Sequence, residues 1–315
     1  MKKKSIIVPA VAVVIVGSLF IAPVQTVVVN AMGVFRVSDP NVINVSMDDM
    51  TAMAQSAQTL MSAYEQQNSG DQSEQDSQDN QSGQSGDQLS QYEKTLTSAS
   101  DFTAFPFKLP TSLSDQTPEI TEIDAPAQTV PVNVADVNKM LAAVQSPVTL
   151  SDNYDGRKVT VTPAAVVMAD YEDASVMCFA LQKPTFDLPG KMDQDIAQIV
   201  TSQPMLPDDI RTQLSAINFF DKNIYLPNIE GVTKTADLGG SVTGYIYAVN
   251  DVATLSKNLL SSMQSGSSSM QDQIRQMFQK YAGYEVIVWV NGNTLYGVLG
   301  NYTDDQLSAL ARTMR

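Results

Sequence analysis

Residues Ser5–Val29, SIIVPAVAVVIVGSLFIAPVQTVVV, carry no charge, and this run constrains the chain more than any other feature. About 20 apolar residues at about 1.5 Å rise each cross a bilayer's hydrocarbon core, so the run is long enough. Lys2, Lys3 and Lys4 precede it and none stands close behind it, which places residues 1–4 inside and the remainder outside. Pro9 and Pro23 sit near its two ends, where a helix loses least from a missing donor. The competing reading is a cleaved signal peptide with a cut near Thr26 or Ala31, but such apolar cores normally run about 7–15 residues. No cysteine stands directly behind the run, which excludes lipoprotein processing. The sequence thus reads as a single-pass protein of the cell membrane, with a transmembrane anchor at 5–29 and everything after it extracytoplasmic.

The exported part is acidic. The chain has 19 Lys and Arg against 34 Asp and Glu; the 19 less the three lysines before the anchor leaves 16, a net −18 beyond it. Such a surface repels phosphate backbones, so nucleic acid is excluded as a partner. The chain has no histidine, which removes Ser-His-Asp and Cys-His triads and His-ligated zinc. Its one cysteine, Cys178, lies in the apolar run Ala174–Leu181 and has no intrachain partner; it reads as a buried, inert thiol with Lys183 the nearest base in sequence.

Periodicity divides the rest. Met32–Val45 is β-prone, an edge strand or juxtamembrane stem, with Pro40 against a central position. Asp48–Gln67 carries apolar residues three and four apart, as an amphipathic helix does, with Ser46 as N-cap and Asp49 three residues on. Together, 30–67 form a juxtamembrane strand and helix. Asn68–Gln88 has no apolar residue and reads as the body of a disordered Ser/Gln/Asp linker over 68–91. The folded domain is expected over 92–315. There, Phe102–Pro110 looks like a segment laid along a sheet edge. Helices are expected at Ala135–Val144, Asp193–Thr201 and Pro207–Ile217, and a long polar one at Ser256–Tyr281. Strands are expected at Arg157–Thr162, Ala164–Asp170, Ala174–Leu181, Asn223–Leu226 and Val242–Ala248. Two local signals stand out. Asn291-Gly292 between Glu285–Val290 and Thr294–Leu299 marks a hairpin, and Thr303-Asp304-Asp305-Gln306 is a capping box opening a helix over Asp304–Met314.

Catalytic and metal chemistry find little support. No Ser has Lys three residues on, and Gly239-Gly240 lacks the lysine and spacing of a phosphate loop. The acid pairs Asp48/Asp49, Glu172/Asp173, Asp208/Asp209 and Asp304/Asp305 are sequence neighbours that suit helix starts or surface. Asp187 with Asp193 and Asp195 offers at most a weak cation site, and the acids at 71, 74, 76 and 79 lack the register of a calcium loop. Trp289, on a strand, suits a core. No catalytic, metal-ligating or cofactor-binding residue is assigned, and no cofactor is expected.

The run YEVIVWVNGNTLYGVLGNYTDDQLSALARTMR, with Trp289, Tyr296, Gly300 and Leu307, resembles the end of a family of membrane-anchored extracytoplasmic proteins of Gram-positive-type bacteria, related to anti-sigma sensor domains and the lipoprotein-carrier (LolA-like) fold. Pro184, Pro189, Leu206, Pro207, Leu214, Ile217 and Pro227 fit the same pattern upstream, as does VFRV at Val34–Val37. A four-residue tail before the anchor departs from it, leaving no cytoplasmic domain to hold a sigma factor. The resemblance implies an α+β fold, a curved antiparallel sheet with helices packed on one face, and no established catalytic residues. The function expected is a non-catalytic, membrane-tethered binding or sensory module with a groove for an apolar ligand, peptide or partner protein. The alternative is a structural or assembly component of a cell-envelope complex, its partners being the membrane and a lipid, peptide or envelope protein.

Overall fold

The computed structural model describes residues 42–49, 92–143, 145–204, 206–221, 223–251 and 279–315. The expected anchor, the expected amphipathic helix beyond Asp49, the expected linker and the helix expected at Ser256–Tyr281, up to residue 278, lie outside the described residues. Among the described residues no helix is long and apolar enough to cross a membrane.

The architecture is mixed α+β with mostly antiparallel sheets. Its centre is the hairpin of β12 (Glu285–Asn291) and β13 (Thr294–Gly300), paired from Glu285 opposite Gly300 to Asn291 opposite Thr294. The two-residue loop is therefore Gly292-Asn293, with positive φ at Gly292 alone, as in a II′ turn. The Asn-Gly signal locates the hairpin, and the turn itself sits one residue later. Around it eight strands form one antiparallel sheet. In order across the sheet they are β10 (Lys234–Asp237), β11 (Thr243–Ala248), β12, β13, β7 (Val176–Gln182), β6 (Val166–Tyr171), β3 (Glu119–Ile123) and β2 (Glu93–Leu96).

The middle strands read as continuous apolar runs because both faces of the sheet are covered. On one face Met177, Phe179, Leu181, Val286, Val288 and Leu295 share a core with Tyr245 and Tyr247. On the other, Cys178, Ala180, Ile287, Trp289, Tyr296 and Val298 meet helix α4 (Asp304–Thr313) through Leu307, Leu310 and Ala311. That helix begins with the expected capping box: Gln306 N–H donates to Thr303 Oγ1, and Thr303 N–H donates to Gln306 Oε1 at 3.0 Å. The second face is also covered by the Phe102–Leu113 stretch. Phe102 and Phe105, ring centroids 4.7 Å apart and edge-on, are buried there. This segment lies across the face rather than along an edge, because its two rings are large enough to be buried only over the sheet.

Two smaller units flank the sheet. β4 (Gln128–Pro131), β5 (Lys158–Thr162) and β8 (Thr185–Asp187) form a three-stranded sheet. Helices α1 (Val134–Ala143) and α2 (Met192–Thr201) share a core with it through Val134, Leu141, Val159, Met192 and Ile199. The second unit crosses the boundary drawn between 30–67 and 92–315. β1 (Val42–Val45) pairs in parallel with β9 (Leu226–Ile229), which begins where the expected strand Asn223–Leu226 was to end. Ile43 and Val45 pack with Leu206, Ile229 and, on the short helix α3 (Asp208–Leu214), Ile210 and Leu214, while Val42 joins the first face of the large sheet. Asn228 Nδ2 donates to Asn44 Oδ1 across the pair, and Tyr247 Oη donates to the carbonyl of Pro227, linking the two sheets. Just after β1, residues 47–49 are helical, and Asp49 N–H donates to Ser46 Oγ at 3.0 Å, so the first turn of the expected helix and its cap are present.

Candidate functional site

At the hairpin-turn end of the second face of the large sheet lies a cavity of about 260 Å³. Four pieces of chain build it. The hairpin supplies Trp289, Asn291, Asn293, Thr294 and Tyr296; the end of β7 supplies Gln182; the aromatic segment supplies Phe105, Pro106 and Lys108; and Met314 and Arg315 follow α4. The alternation of β12 and β13 puts Trp289 opposite Tyr296 on this face, and their rings stack with centroids 5.6 Å apart and planes 13° from parallel. Tyr296 Oη donates to Pro106 O at 2.9 Å, fastening the aromatic segment over the hairpin. Burial pushes this phenol above its ordinary value, so it acts as a neutral donor.

The remaining wall is held by charge. Arg315 Nη1 donates to the carbonyls of Leu238 and Gly239 in the turn after β10, and Lys108 Nζ donates to Arg315 O at 2.6 Å. Gly239-Gly240, no phosphate loop, thus belongs to a turn that offers carbonyls to a guanidinium. Arg315 Nε is buried without a hydrogen-bond partner. No lining residue has an acidic side chain, although the chain carries net −15, and the lining lysine is held by the main-chain oxygen of Arg315. Sequence reasoning reached Trp289 only as a core residue and Tyr296 only through the family resemblance. What it lacked was their meeting with residues 105–108 and 314–315, which no local pattern encodes.

The sequence-neighbour acid pairs do not converge on the cavity. Asp208 and Asp209 open α3, and Asp304 and Asp305 open α4, complementing the helix dipoles. Glu172 and Asp173 lie in a 3-10 turn, and Asp49 completes its cap. Asp195 accepts a 2.6 Å hydrogen bond from Tyr154 Oη, which raises that phenol's pKa. Among the described residues no group of three potential ligands could hold a metal ion. Cys178 is fully buried, and burial pushes its thiol up, away from the thiolate a nucleophile needs. Lys183 donates to Asn223 O at 3.2 Å and lies 3.7 Å from Asp221.

One acid pair was not visible in the sequence. Lys234 Nζ stands 3.0 Å from both Glu285 Oε1 and Asp304 Oδ1, so three residues far apart in the chain meet at one end of β10, β12 and α4. Burial raises the Glu285 pKa, reinforced by Asp304, while hydrogen bonding to Glu285 and Lys234 lowers that of Asp304. The second oxygen of Glu285 is buried and unpartnered, and a proton on it would let it donate toward Asp304. At the other end of β10, Arg312 donates to Asp237 O at 2.8 and 3.1 Å. These contacts close α4 over an edge strand that would otherwise present open backbone, and the acid pair reads as part of that clamp. No family model, curated protein or solved structure matches the chain.

Proposed function

We propose that this is a non-catalytic binding module tethered to the outer side of a membrane, with the Trp289 cavity as its recognition site. The observation that carries the reading is the cavity, lined by carboxamides and a lysine beside a stacked, buried indole and phenol. Its volume falls just below the roughly 300–1,000 Å³ of sites for drug-sized ligands. That size suits a small molecule or one residue of a peptide rather than a lipid's acyl chains. The tether is the apolar run 5–29. Residues 30–41 separate it from β1 and span at most roughly 40 Å fully extended, so the domain stays near the membrane. The carrier-like relation, with a strongly curved sheet and helices on one face, belongs to this proposal too, supported by Trp289, Tyr296, Gly300 and Leu307 in the closing hairpin and helix.

Trp289 is the only tryptophan, so its emission reports on the cavity directly. A fragment screen on the full chain in lipid nanodiscs should find compounds that shift this emission saturably, compete with one another, and lose their effect in Asn293→Tyr. A diverse library with no saturable hit would contradict the reading. For the topology, Val130→Cys supplies an exposed thiol against the buried Cys178. A membrane-impermeant maleimide should label it in intact cells, and labelling only after lysis would overturn the outside placement.

A further inference from the structure

We infer that β4 is an interaction edge whose partner is the β4 of a second copy of this chain, paired antiparallel about Thr129. None of its residues lines the cavity, and the partner follows from exposure, charge and backbone direction.

An open sheet edge is a template for another strand, and proteins ordinarily blunt it with charge or cover. Among the described edge strands, β2 carries Glu93 and Lys94, and β8 carries Asp187. β10 carries Lys234 and Asp237 and is clamped by α4, while β1 and β9 are largely buried. β4 differs on each count. All four of its residues are exposed, Val130 to 49%, and residues 125–135 carry no charge between Asp124 and Asp136. In a chain of net −15, a second copy can approach this edge without setting acid against acid.

The backbone selects the partner. Val132 N–H donates to Arg157 O at 2.8 Å, and Val132 O accepts from Gly156 N–H at 2.9 Å, so Val132 faces β5. The register continues with Pro131 opposite Lys158 and Val130 opposite Val159. Antiparallel strands alternate, so Gln128 and Val130 also face β5, while Thr129 and Pro131 turn their backbone groups outward. Ala127, just before the strand, continues the alternation. From Ala127 to Pro131 the open edge therefore presents two donor-and-acceptor residues and then an acceptor alone, since proline has no N–H. An identical antiparallel strand centred on Thr129 matches this order. The two Thr129 residues exchange both hydrogen bonds, and each Ala127 N–H meets the other copy's Pro131 O. Every outward donor of the segment is used, and the proline leaves only an Ala127 carbonyl to water at each outer end. The Thr129 hydroxyl, 2.8 Å from that of Thr160, puts an uncharged β-branched pair across the axis. Five residues a side fall short of the roughly 1,200 Å² of a stable free-standing interface. The contact therefore draws on the tether proposed above, which raises the effective concentration of copies sharing one membrane.

The test uses the full chain reconstituted in lipid vesicles, with flotation reporting the tether separately. Cys178 is fully buried, so an introduced surface thiol is the reactive one. Paired Thr129 residues stand about 5.5 Å apart at Cα, within disulfide reach. Under copper phenanthroline, Thr129→Cys should form a covalent dimer roughly tenfold faster or more than Lys158→Cys, one strand in from the edge. Ala127→Cys and Pro131→Cys each stand four positions from their own counterparts, roughly 14 Å along the strand, and should link only when the two variants are mixed. Unchanged melting temperatures are expected, because these side chains are exposed. Thr129→Cys linking no faster than Lys158→Cys would overturn the pairing, as would Ala127→Cys linking to itself as fast as to Pro131→Cys. Thr129→Cys linked in intact cells to a different protein, and not to its own copy, would overturn the choice of partner. A chain that does not float with the vesicles contradicts the tether alone, and the same linking comparison is then read in solution at high concentration.

Discussion

The two ends of the described chain were built by opposite means. The closing hairpin and helix, β12, β13 and α4, form from residues next to one another: a two-residue turn, an apolar run alternating between two covered faces, and a capping box. β1 is a four-residue strand whose partner, β9, lies more than 180 residues later, and it pairs in parallel, without any turn to set its register. What fixes it is side chains: Val42 on one core, Ile43 and Val45 on another, and the Asn44–Asn228 hydrogen bond between them. The first region is specified locally and the second by burial together with one side-chain hydrogen bond. The comparison teaches that the described strand nearest the apolar run 5–29 is held by the interior of the domain.

The sharpest way to break the local region is at Gly297. A Cβ there would lie 2.1 Å from Phe179 Cζ, because the ring from β7 covers the space a side chain would occupy. Gly297→Ala should cost about 3 kcal/mol, the upper end of core overpacking. Chemical denaturation measures it, and adding Phe179→Leu should restore part of the loss. The remote region is next. Ile43→Ala removes a buried side chain from the β1 core and should cost about 2–3 kcal/mol by the same assay. If Ile43→Ala were neutral, β1 would be an ornament on an already complete domain. Thr303→Ala removes the cap that positions α4 and should cost about 1 kcal/mol.

The smallest effect concerns the Lys234 clamp. Lys234→Met should cost less than about 1 kcal/mol at neutral pH, since the lysine is half exposed and screened by solvent. The signs are separable. Asp304, held low, contributes stability above its unfolded pKa and loses it as pH falls through its folded value. Glu285, held high by burial, favours the fold at low pH and loses that contribution as pH rises through its raised value. The cost of Lys234→Met should therefore shrink as pH falls into the range where Glu285 takes a proton, which melting curves at pH 7 and pH 4 would show.

Legibility followed the same division. The hairpin, the capping box, α1, α2 and the strands β5, β6, β7 and β11 could be read from periodicity and turn residues to within about two residues. β2, β3, β4, β8 and β10 escaped notice because they are short and half polar, as edge and flanking strands are. The cavity was legible only in part. Trp289 and Tyr296 stood out as aromatic strand residues, but Lys108 and Arg315 reach them through tertiary contacts without a sequence period. The Lys234–Glu285–Asp304 cluster was invisible for the same reason, while the acid pairs that were visible stand in the first turns of helices and in a 3-10 turn.

Residue-resolved hydrogen exchange on the full chain tests most directly whether β1 is part of the folded unit. The account predicts slowest exchange in β7, β12 and β13, by global unfolding. The ladder amides of β1 and β9 should be protected as well, opening with a smaller but definite free energy because their ladder is only four residues long. Ladder amides of 42–45 exchanging at the rate of an unstructured peptide, with β12 and β13 fully protected, would contradict it.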